Sequence, residues 1–230
     1  MAADAYHHGN LRTALVAAAA ELVCDAGVEA VTMRSLSRVA GVSRAAPYRH
    51  FGDKRELLAA VAEAGFLDLD RRLSEVEGRG AAGGVGAGEG REVLASLMRA
   101  YVGFALDRPG HYRLMFSPDI VRPPRSVSLQ DAAARAFERS LDALRATQQG
   151  GELRDGDPTA LASIVWSAVH GLSVLLLDGQ VRVSSDGPGG PTLLVSDVPE
   201  AATGAGSFIE LTIEVVLDGL ASGGERTRVG

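Results

Sequence analysis

Residues 32–54 read TMRSLSRVAGVSRAAPYRHFGDK, and this stretch decides the fold. Thr32 can cap a short helix that has four apolar positions, Met33, Leu36, Val39 and Ala40. Gly41 then supplies the left-handed residue that ends this helix, and Ser43 can cap the next one. Two short helices joined by so tight a turn predict a helix-turn-helix, whose second helix can lie in the major groove of DNA.

The charge of this region is opposite in sign to that of the whole chain. Between positions 34 and 55 one acidic residue, Asp53, stands against six basic residues, a local charge of +5. The basic residues are Arg34, Arg38, Arg44, Arg49, Lys54 and Arg55. The 230-residue chain as a whole has a formal net charge of −6. A local basic surface on an acidic protein favours phosphate binding, because each neutralised phosphate releases a counterion.

The turn and the residues that follow it resemble a known family. Gly41-Val42-Ser43 between two helices, then Tyr48-Arg49-His50-Phe51 and Lys54, resemble the TetR family of bacterial transcriptional repressors over roughly residues 8–60. The resemblance implies an all-α chain with an N-terminal three-helix DNA-binding domain that contains the helix-turn-helix. It also implies a C-terminal helical domain for ligand binding and dimerisation, and a double-stranded DNA operator as the partner.

Carried over by position, the resemblance implies a DNA interface of ten residues: Thr32, Arg34, Ser43, Arg44, Ala45, Ala46, Tyr48, Arg49, His50 and Lys54. Arg34 and Arg44 would reach base edges, where a guanidinium can bind guanine O6 and N7 together. The two alanines would offer methyl contacts to thymine, and the threonine, tyrosine, histidine and lysine would hold phosphates. Pro47 departs from the common family pattern, which has a non-proline residue before the tyrosine. Specificity would then depend on the two arginines and on DNA shape.

Composition and the ends of the apolar segments argue against a secreted or membrane protein. The single cysteine, Cys24, excludes an intramolecular disulfide and fits a reducing cytoplasm. The first ten residues lack the basic-then-apolar order of a signal peptide. Residues 158–177 carry no charged side chain and have the length of a spanning helix, but Asp157 and Asp178 flank them without a Lys/Arg cluster. We therefore expect a buried helix, no membrane partner and a cytoplasmic location.

Helical periodicity and glycine density divide the chain. The predicted helices cover residues 10–26, 53–76, 92–107, 111–116, 128–147, 158–177 and 207–222. Asp53 and Glu56 form a capping-box pattern, and Ser128 and Asp157 are further caps. The predicted domain organisation is a helix-turn-helix domain at 1–60, a connecting helix at 61–76, a Gly-rich flexible segment at 77–91, a helical effector-binding and dimerisation domain at 92–222, and a tail at 223–230. Within the domain at 92–222, residues 180–206 are expected to form either a β-hairpin or a mobile loop.

The last two helices are apolar on more than one side, so one face of each is expected to pack against a second copy of the chain. TetR-like proteins dimerise through these two helices as a four-helix bundle, and a two-fold dimer also spaces two DNA-binding heads about one helical turn apart. A deep monomeric core is the alternative. The predicted interface consists of Ile164, Ala168, Leu172, Leu175, Ile209, Ile213, Val216 and Leu220.

Trp166, His170 and Gly171 form a W-x-x-x-H-G pattern, with the two aromatic residues on one helix face. With RLMF at 113–116, it resembles the C-terminal domain of a TetR subgroup named for its Trp and His-Gly. One interpretation is core packing. The other is a pocket for a small, largely apolar effector, lined by Met98, Tyr101, Phe104, Tyr112, Met115, Phe137, Trp166 and His170.

The predicted function is a dimeric repressor that binds a palindromic operator and is released by a small-molecule effector. An enzyme is disfavoured, because the sequence lacks a Gly-rich phosphate loop, a G-x-S-x-G motif and a Glu-x-x-His pair. No catalytic residue, metal site or cofactor is predicted. An effector-independent or architectural DNA-binding protein is the alternative, and it would bind DNA in a salt-sensitive but sequence-indifferent way.

Overall fold

The computed structural model describes residues 4–80, 88–121, 126–181 and 205–221, and this part of the chain is all-α, as the sequence predicts. The α-helices are α1 (Asp4–Ala26), α2 (Met33–Val39), α3 (Lys54–Gly80), α4 (Glu89–Asp107), α5 (Pro109–Met115), α6 (Pro118–Val121), α7 (Val127–Gln149), α8 (Pro158–Leu177) and α9 (Ala205–Leu220). Two 3-10 helices cover Val28–Ala30 and Pro47–Arg49.

The chain folds into two compact units, each built from two segments. Unit 1 comprises Met1–Asp70 and Arg108–Arg135, and unit 2 comprises Arg71–Asp107 and Ala136–Gly230. Unit 1 therefore includes α5, α6 and the start of α7 in addition to the amino-terminal helices. The predicted domains at 1–60, 61–76 and 92–222 divide the chain by function and remain a prediction. The two compact units are divided at other residues.

Unit 1 is held together by a close crossing of α1 and α5. A Cβ atom on Gly110 would lie 2.0 Å from the backbone oxygen of Ala20, so only glycine allows the two helices to approach this closely. The approach buries Tyr112, Leu114 and Met115 of α5. Because α1 also contacts α2 and the 3-10 helix before it, this crossing supports the helices that precede the turn at Gly41.

Unit 2 packs α4 against both α8 and α9. Its core includes Phe104, Val102, Val169, Ile213 and Leu217, all nearly inaccessible to solvent. An apolar face of α4 explains this packing, because buried residues recur along it at three-to-four spacing.

Charged side chains fix α9 on α4. The guanidinium of Arg99 donates to both carboxylate oxygens of Glu210, at 2.8 Å from Nε to Oε1 and 2.8 Å from Nη2 to Oε2. This bidentate pairing lowers the pKa of Glu210 and raises that of Arg99. About two turns nearer the start of α4, Arg91 pairs with Asp218 of α9. Two ion pairs on one side of α4 thus set the register between the two helices.

Several predicted helix ends differ from the structure. Helix α1 begins at Asp4 rather than at residue 10, and the Gly-rich segment contains helix as far as Gly80 and again from Glu89. Ser126, not Ser128, caps α7: its Oγ accepts from the N–H of Leu129 at 3.3 Å. The helix therefore starts two residues earlier than its apolar pattern indicates, because the Ser126 hydroxyl satisfies an N–H of its first turn.

Two caps are confirmed. The N–H of Glu56 donates to Oδ1 of Asp53 at 2.8 Å, and the N–H of Thr159 donates to Oδ1 of Asp157 at 3.0 Å. Residues 182–204 of the predicted hairpin or loop lie outside the described residues.

Helix α8 is the one candidate for a membrane span in the described part of the chain, by length and composition. The prediction that it is buried holds for one side only. Leu161, Val169 and Leu172 are buried, whereas Ile164 and Leu175 are exposed. A helix of this composition leaves apolar surface uncovered in the single chain, because only one of its sides meets α4 and α9.

Candidate nucleic-acid interface

The turn after α2 has the geometry that the sequence predicts. Thr32 and Ser35 form a reciprocal capping box, in which the N–H of Ser35 donates to Oγ1 of Thr32 at 3.0 Å and the N–H of Thr32 donates to Oγ of Ser35 at 2.9 Å. Gly41 ends the helix at φ 65°, and the N–H of Val42 donates to the oxygen of Ser37 at 2.9 Å. This is a Schellman turn, which requires the left-handed residue that only glycine adopts at low cost.

The face that α2 buries is narrower than predicted. Met33, Leu36 and Ser37 are buried, while Val39 is 44% exposed. The buried face of α2 follows the spacing of positions 33, 36, 37 and 40. Val39 lies about 110° around the helix axis from the centre of that face. Its exposure leaves an apolar side chain beside the turn.

The segment after the turn is not the second α-helix, capped by Ser43, that the sequence predicts. Residues 44–46 form turns and Pro47–Arg49 form a single turn of 3-10 helix, with bonds from Ala46 N–H to the Ser43 oxygen at 3.0 Å and from His50 N–H to the Pro47 oxygen at 3.0 Å. Pro47 is the physical cause, because it has no N–H to donate to Ser43 and an α-helix would need that bond. Residues 43–50 are called the recognition segment below.

The predicted DNA residues surround this turn, and most of them face solvent. Tyr48 is 62% exposed. Seven of the ten are exposed and three are half-buried. The exposed side chains are Thr32, Arg34, Ser43, Arg44, Ala45, Tyr48 and Arg49, and the half-buried ones are Ala46, His50 and Lys54. Pro47 and Phe51 are buried, and they attach the recognition segment to the core of unit 1.

The charges of this surface remain available for a polyanion. Among the described residues, Arg34, Arg44 and Arg49 take part in no ion pair. Lys54 lies 3.9 Å from the carboxylate of Glu29, an exposed residue in the 3-10 helix before α2. Such an exposed pair contributes little stability and is easily exchanged for another anion.

Arg12 of helix α1 lies next to the predicted DNA interface but is not among its ten predicted residues. The guanidinium carbon of Arg12 lies 5.2 Å from the centroid of the Phe51 ring. Phe51 is buried and directly follows the recognition segment. The signal in the sequence was the position of Arg12, three residues before Leu15 on the buried face of α1.

The residues predicted to line an effector pocket do not all fall in one unit. Tyr112 and Met115 belong to unit 1, where the Tyr112 and Phe116 rings meet edge to face at 5.1 Å between centroids. The other six belong to unit 2: Met98, Tyr101, Phe104, Phe137, Trp166 and His170. Met98 and Phe104 are buried in α4, and Phe137 is half-buried in α7.

Three of these six side chains form a hydrogen-bonded cluster between α4 and α8. Indole Nε1–H of Trp166 donates to Tyr101 Oη at 3.2 Å, and Tyr101 Oη lies 3.1 Å from Nδ1 of His170. The Tyr101 hydroxyl oxygen accepts from the indole, so the hydroxyl can donate its own proton to Nδ1 of His170 when that nitrogen is unprotonated. Burial lowers the pKa of His170, which favours the same neutral state. Trp166 and His170 also stack at 5.2 Å, as their spacing predicts.

The predicted dimer residues are divided between the core and the surface. Leu172, Ile213 and Leu220 are buried within unit 2. Ile164 and Leu175 are exposed, and Ala168, Ile209 and Val216 are half-buried. On α9 the exposed apolar residues are Leu211, at 45%, and Val215, at 61%. Periodicity showed that α9 has two apolar sides but could not tell which side α4 covers.

An exposed, basic helix-turn-helix on an otherwise acidic chain defines a class of protein, the sequence-reading DNA-binding regulators. Two family models match this chain: that of the bacterial regulatory proteins of the tetR family over residues 15–61, and that of the tetracyclin repressor-like C-terminal domain over residues 94–189. The chain belongs to the TetR family of transcriptional regulators. Its place in the Trp and His-Gly subgroup remains a prediction.

Similar proteins agree with this assignment. The tetracycline repressor protein class C of Escherichia coli is 47% identical over 53 residues, which are 23% of this chain and 24% of that protein. The chain spans 24% and 47% of the first two curated relatives it matches. A solved protein of unknown function from Rhodococcus sp. RHA1 has a TM-score of 0.71 at 27% identity, over 95% of this chain and 100% of that one. AibR, solved with isovaleryl coenzyme A and operator DNA, has a TM-score of 0.63 at 17% identity, over 92% of this chain and 98% of that one.

Proposed function

We propose that this regulator is a cytoplasmic, dimeric repressor that binds a palindromic operator and is released by a small-molecule effector. The observation that carries the proposal is the solvent-facing recognition segment after the Schellman turn at Gly41, within the stretch from Arg34 to Arg55 whose formal charge is +5. Neutralising phosphates with these side chains would release counterions and supply the affinity.

Base reading falls to Arg34 and Arg44, which are exposed on either side of the turn and carry no competing ion pair among the described residues. Each can bind a guanine edge through two parallel N–H donors. The methyl groups of Ala45 and Ala46 contact thymine. Phosphates are held by the hydroxyl groups of Thr32 and Tyr48, by the imidazole of His50 and by the ammonium of Lys54, and Ser43 and Arg49 of the recognition segment complete the proposed interface.

Dimerisation is supported by apolar surface on the last two helices. Ile164 and Leu175 of α8 and Leu211 and Val215 of α9 are exposed, although unit 2 has a core of its own. The occupant we propose is a second copy of this chain, because one recognition segment reads only half of a palindrome. Substituting Val215 and Leu211 with glutamate would then separate the dimer, as sedimentation would show, and a variant that stays dimeric would refute this interface.

Effector binding is assigned to unit 2. The Tyr101–Trp166–His170 cluster sets a hydrogen-bonded group of aromatic side chains beside the apolar residues of α4, and ligand sites combine a few such polar groups with an apolar lining. The structurally similar AibR was solved with isovaleryl coenzyme A, so an acyl-thioester is a reasonable first candidate to test. A ligand releases DNA only through a difference in affinity between the two states of the dimer.

The proposal is tested by selecting bound sequences from random duplex DNA with the purified protein. A palindrome with fixed half-site spacing is expected. Arg44→Ala should then lose discrimination among selected sequences, with a cost of about 1–3 kcal/mol at the affected base pair, whereas Lys54→Ala should weaken all duplexes alike. Equal losses from both variants would refute the division between base and phosphate contacts.

The second candidate is an architectural DNA-binding protein without an effector. The small number of polar readers in the recognition segment favours it, because Ala45, Ala46 and Pro47 occupy three consecutive positions. Selection that returns no common sequence, combined with strongly salt-dependent binding, would support this candidate over the repressor.

A further inference from the structure

Arg12 of α1 is held beside the recognition segment by an aromatic ring. Its guanidinium carbon lies 5.2 Å from the centroid of Phe51, a residue that is 1% exposed, whereas Arg12 itself is exposed. Phe51 follows His50 directly and precedes Lys54 by three residues. A side chain from a different helix thus brings a positive charge to the segment that faces DNA.

The position of Arg12 on α1 explains how it reaches Phe51. Leu15, Val16 and Ala19 are buried on one face of α1, and Arg12 lies one turn before them on the same face. The aliphatic part of its side chain can therefore follow the edge of the core while the guanidinium emerges at the surface. No carboxylate pairs with Arg12 among the side chains that the structure describes.

The contact with Phe51 orients the guanidinium without using its hydrogen-bond donors. Arg12 makes no hydrogen bond or ion pair with the residues that the structure describes, so its N–H donors are left for an outside acceptor. Restricting a long side chain before binding reduces the entropy that is lost when a phosphate is bound.

We propose that Arg12 is a phosphate-binding residue of the DNA interface, positioned by Phe51, and that α1 therefore contributes directly to DNA affinity. This inference rests on the proposed DNA-binding function. Its contact is to the backbone of the duplex that the recognition segment enters, so it adds affinity and fixes orientation without reading bases.

The test compares Arg12→Gln, Arg12→Lys and the control Arg113→Gln, which removes the same charge from an exposed position on α5 of the same unit. Dissociation constants are measured from about 0.05 to 0.2 M salt on a random-sequence duplex and on the selected palindrome. A lost phosphate contact in each of two heads should reduce the magnitude of the salt slope by about 1.8. Across this fourfold range of salt, Arg12→Gln should therefore lose roughly twelvefold less affinity than the wild type.

Arg12→Lys should keep most of the salt slope, because it keeps the charge, and Arg113→Gln should leave it close to that of the wild type. Equal slopes for the wild type and Arg12→Gln, with a lower melting temperature for the variant, would mean that Arg12 only covers Phe51, and would overturn the inference. Equal reductions in Arg12→Gln and Arg113→Gln would also overturn it, since a general field effect would then suffice. A wild-type protein that binds neither duplex would refute the proposed function itself.

Discussion

Gly110 offers the sharpest test of how the DNA-binding unit is held together. In Gly110→Ala the new Cβ atom would meet the backbone oxygen of Ala20 at 2.0 Å and its carbonyl carbon at 2.9 Å. Real Cβ atoms essentially never come within 3.0 Å of another heavy atom, so α1 and α5 must separate by about 1 Å. Both contacting atoms belong to backbone, and no change of rotamer can relieve the clash.

The cost of this separation follows from what the crossing buries. Tyr112, Leu114 and Met115 of α5 are at most 2% exposed, and a gap of 0.5–1 Å forfeits about a quarter to a half of each contact. Overpacking of this kind destabilises by about 1–3 kcal/mol, and the upper end applies because backbone must move. Replacing glycine in a helix returns at most about 1 kcal/mol. The net loss is roughly 2 kcal/mol, which for a chain of this length lowers the melting temperature by about 4–8 °C.

Gly103→Ala is the matched control, because a Cβ at that position in α4 meets nothing within 4 Å. It should raise the melting temperature by about 2–4 °C through helix propensity alone. The measurement is thermal unfolding of both variants followed by circular dichroism at one concentration. If Gly110→Ala is as stable as Gly103→Ala, the close crossing of α1 and α5 is not a feature of the protein.

Three further predictions concern charge, hydrogen bonding and pH. Glu29→Gln should tighten binding to any duplex by up to about fivefold per head at low salt, because it frees Lys54 and removes a negative charge near the phosphates. Fluorescence anisotropy of a labelled duplex measures this change in affinity. Tyr101→Phe should destabilise by about 1–2 kcal/mol in urea unfolding, because it removes two hydrogen bonds, one of them to His170. The free energy of unfolding should fall as the pH drops below about 6.5. Burial lowers the pKa of His170 in the folded state, and burial together with Arg108 lowers that of His111. The unfolded chain therefore binds protons at a higher pH than the folded chain does.

Each of these has a control in the same chain. Glu21→Gln removes an exposed charge from α1 and should leave DNA affinity nearly unchanged; a gain equal to that of Glu29→Gln would point to net charge alone. For Tyr101→Phe, urea stability equal to the wild type would show that the cluster adds nothing. Replacing His170 with glutamine should flatten the loss of stability between about pH 6.5 and 5, and an unchanged pH profile would contradict the role of burial.

The sequence predicted best those features that local chemistry determines. The caps at Thr32 and Asp53 and the left-handed Gly41 each depend on a few adjacent residues, and all three are present. The predicted capping box at Asp53 is only half formed, because the carboxylate of Glu56 accepts from the N–H of Gly52 instead. The predicted helix from residue 53 is present as α3, and its apolar positions Leu57, Leu58, Val61 and Leu69 are buried. In these cases the physical cause and the sequence signal lie within one or two turns of each other.

Features that depend on contacts between distant segments could not be predicted in the same way. The pairing of Phe51 with Arg12, the approach of Gly110 to Ala20 and the two-segment composition of unit 1 all join parts of the chain far apart in sequence. The exposed side of α9 depends likewise on which side α4 covers. A periodic pattern identifies apolar sides but not their partners, and the exposed Leu211 and Val215 were therefore not among the residues predicted for the dimer interface.

The proline in the recognition segment also bears on how this regulator could change its target. Because Pro47 holds the chain in turns and a single 3-10 turn, successive side chains are about 120° apart around the segment rather than 100°. One base change in a proline codon gives leucine, which would restore the missing amide and allow a regular helix through Arg44 and Tyr48. A single mutational step thus separates two ways of presenting the same side chains to a duplex, and new operators could be acquired without altering any residue that touches a base.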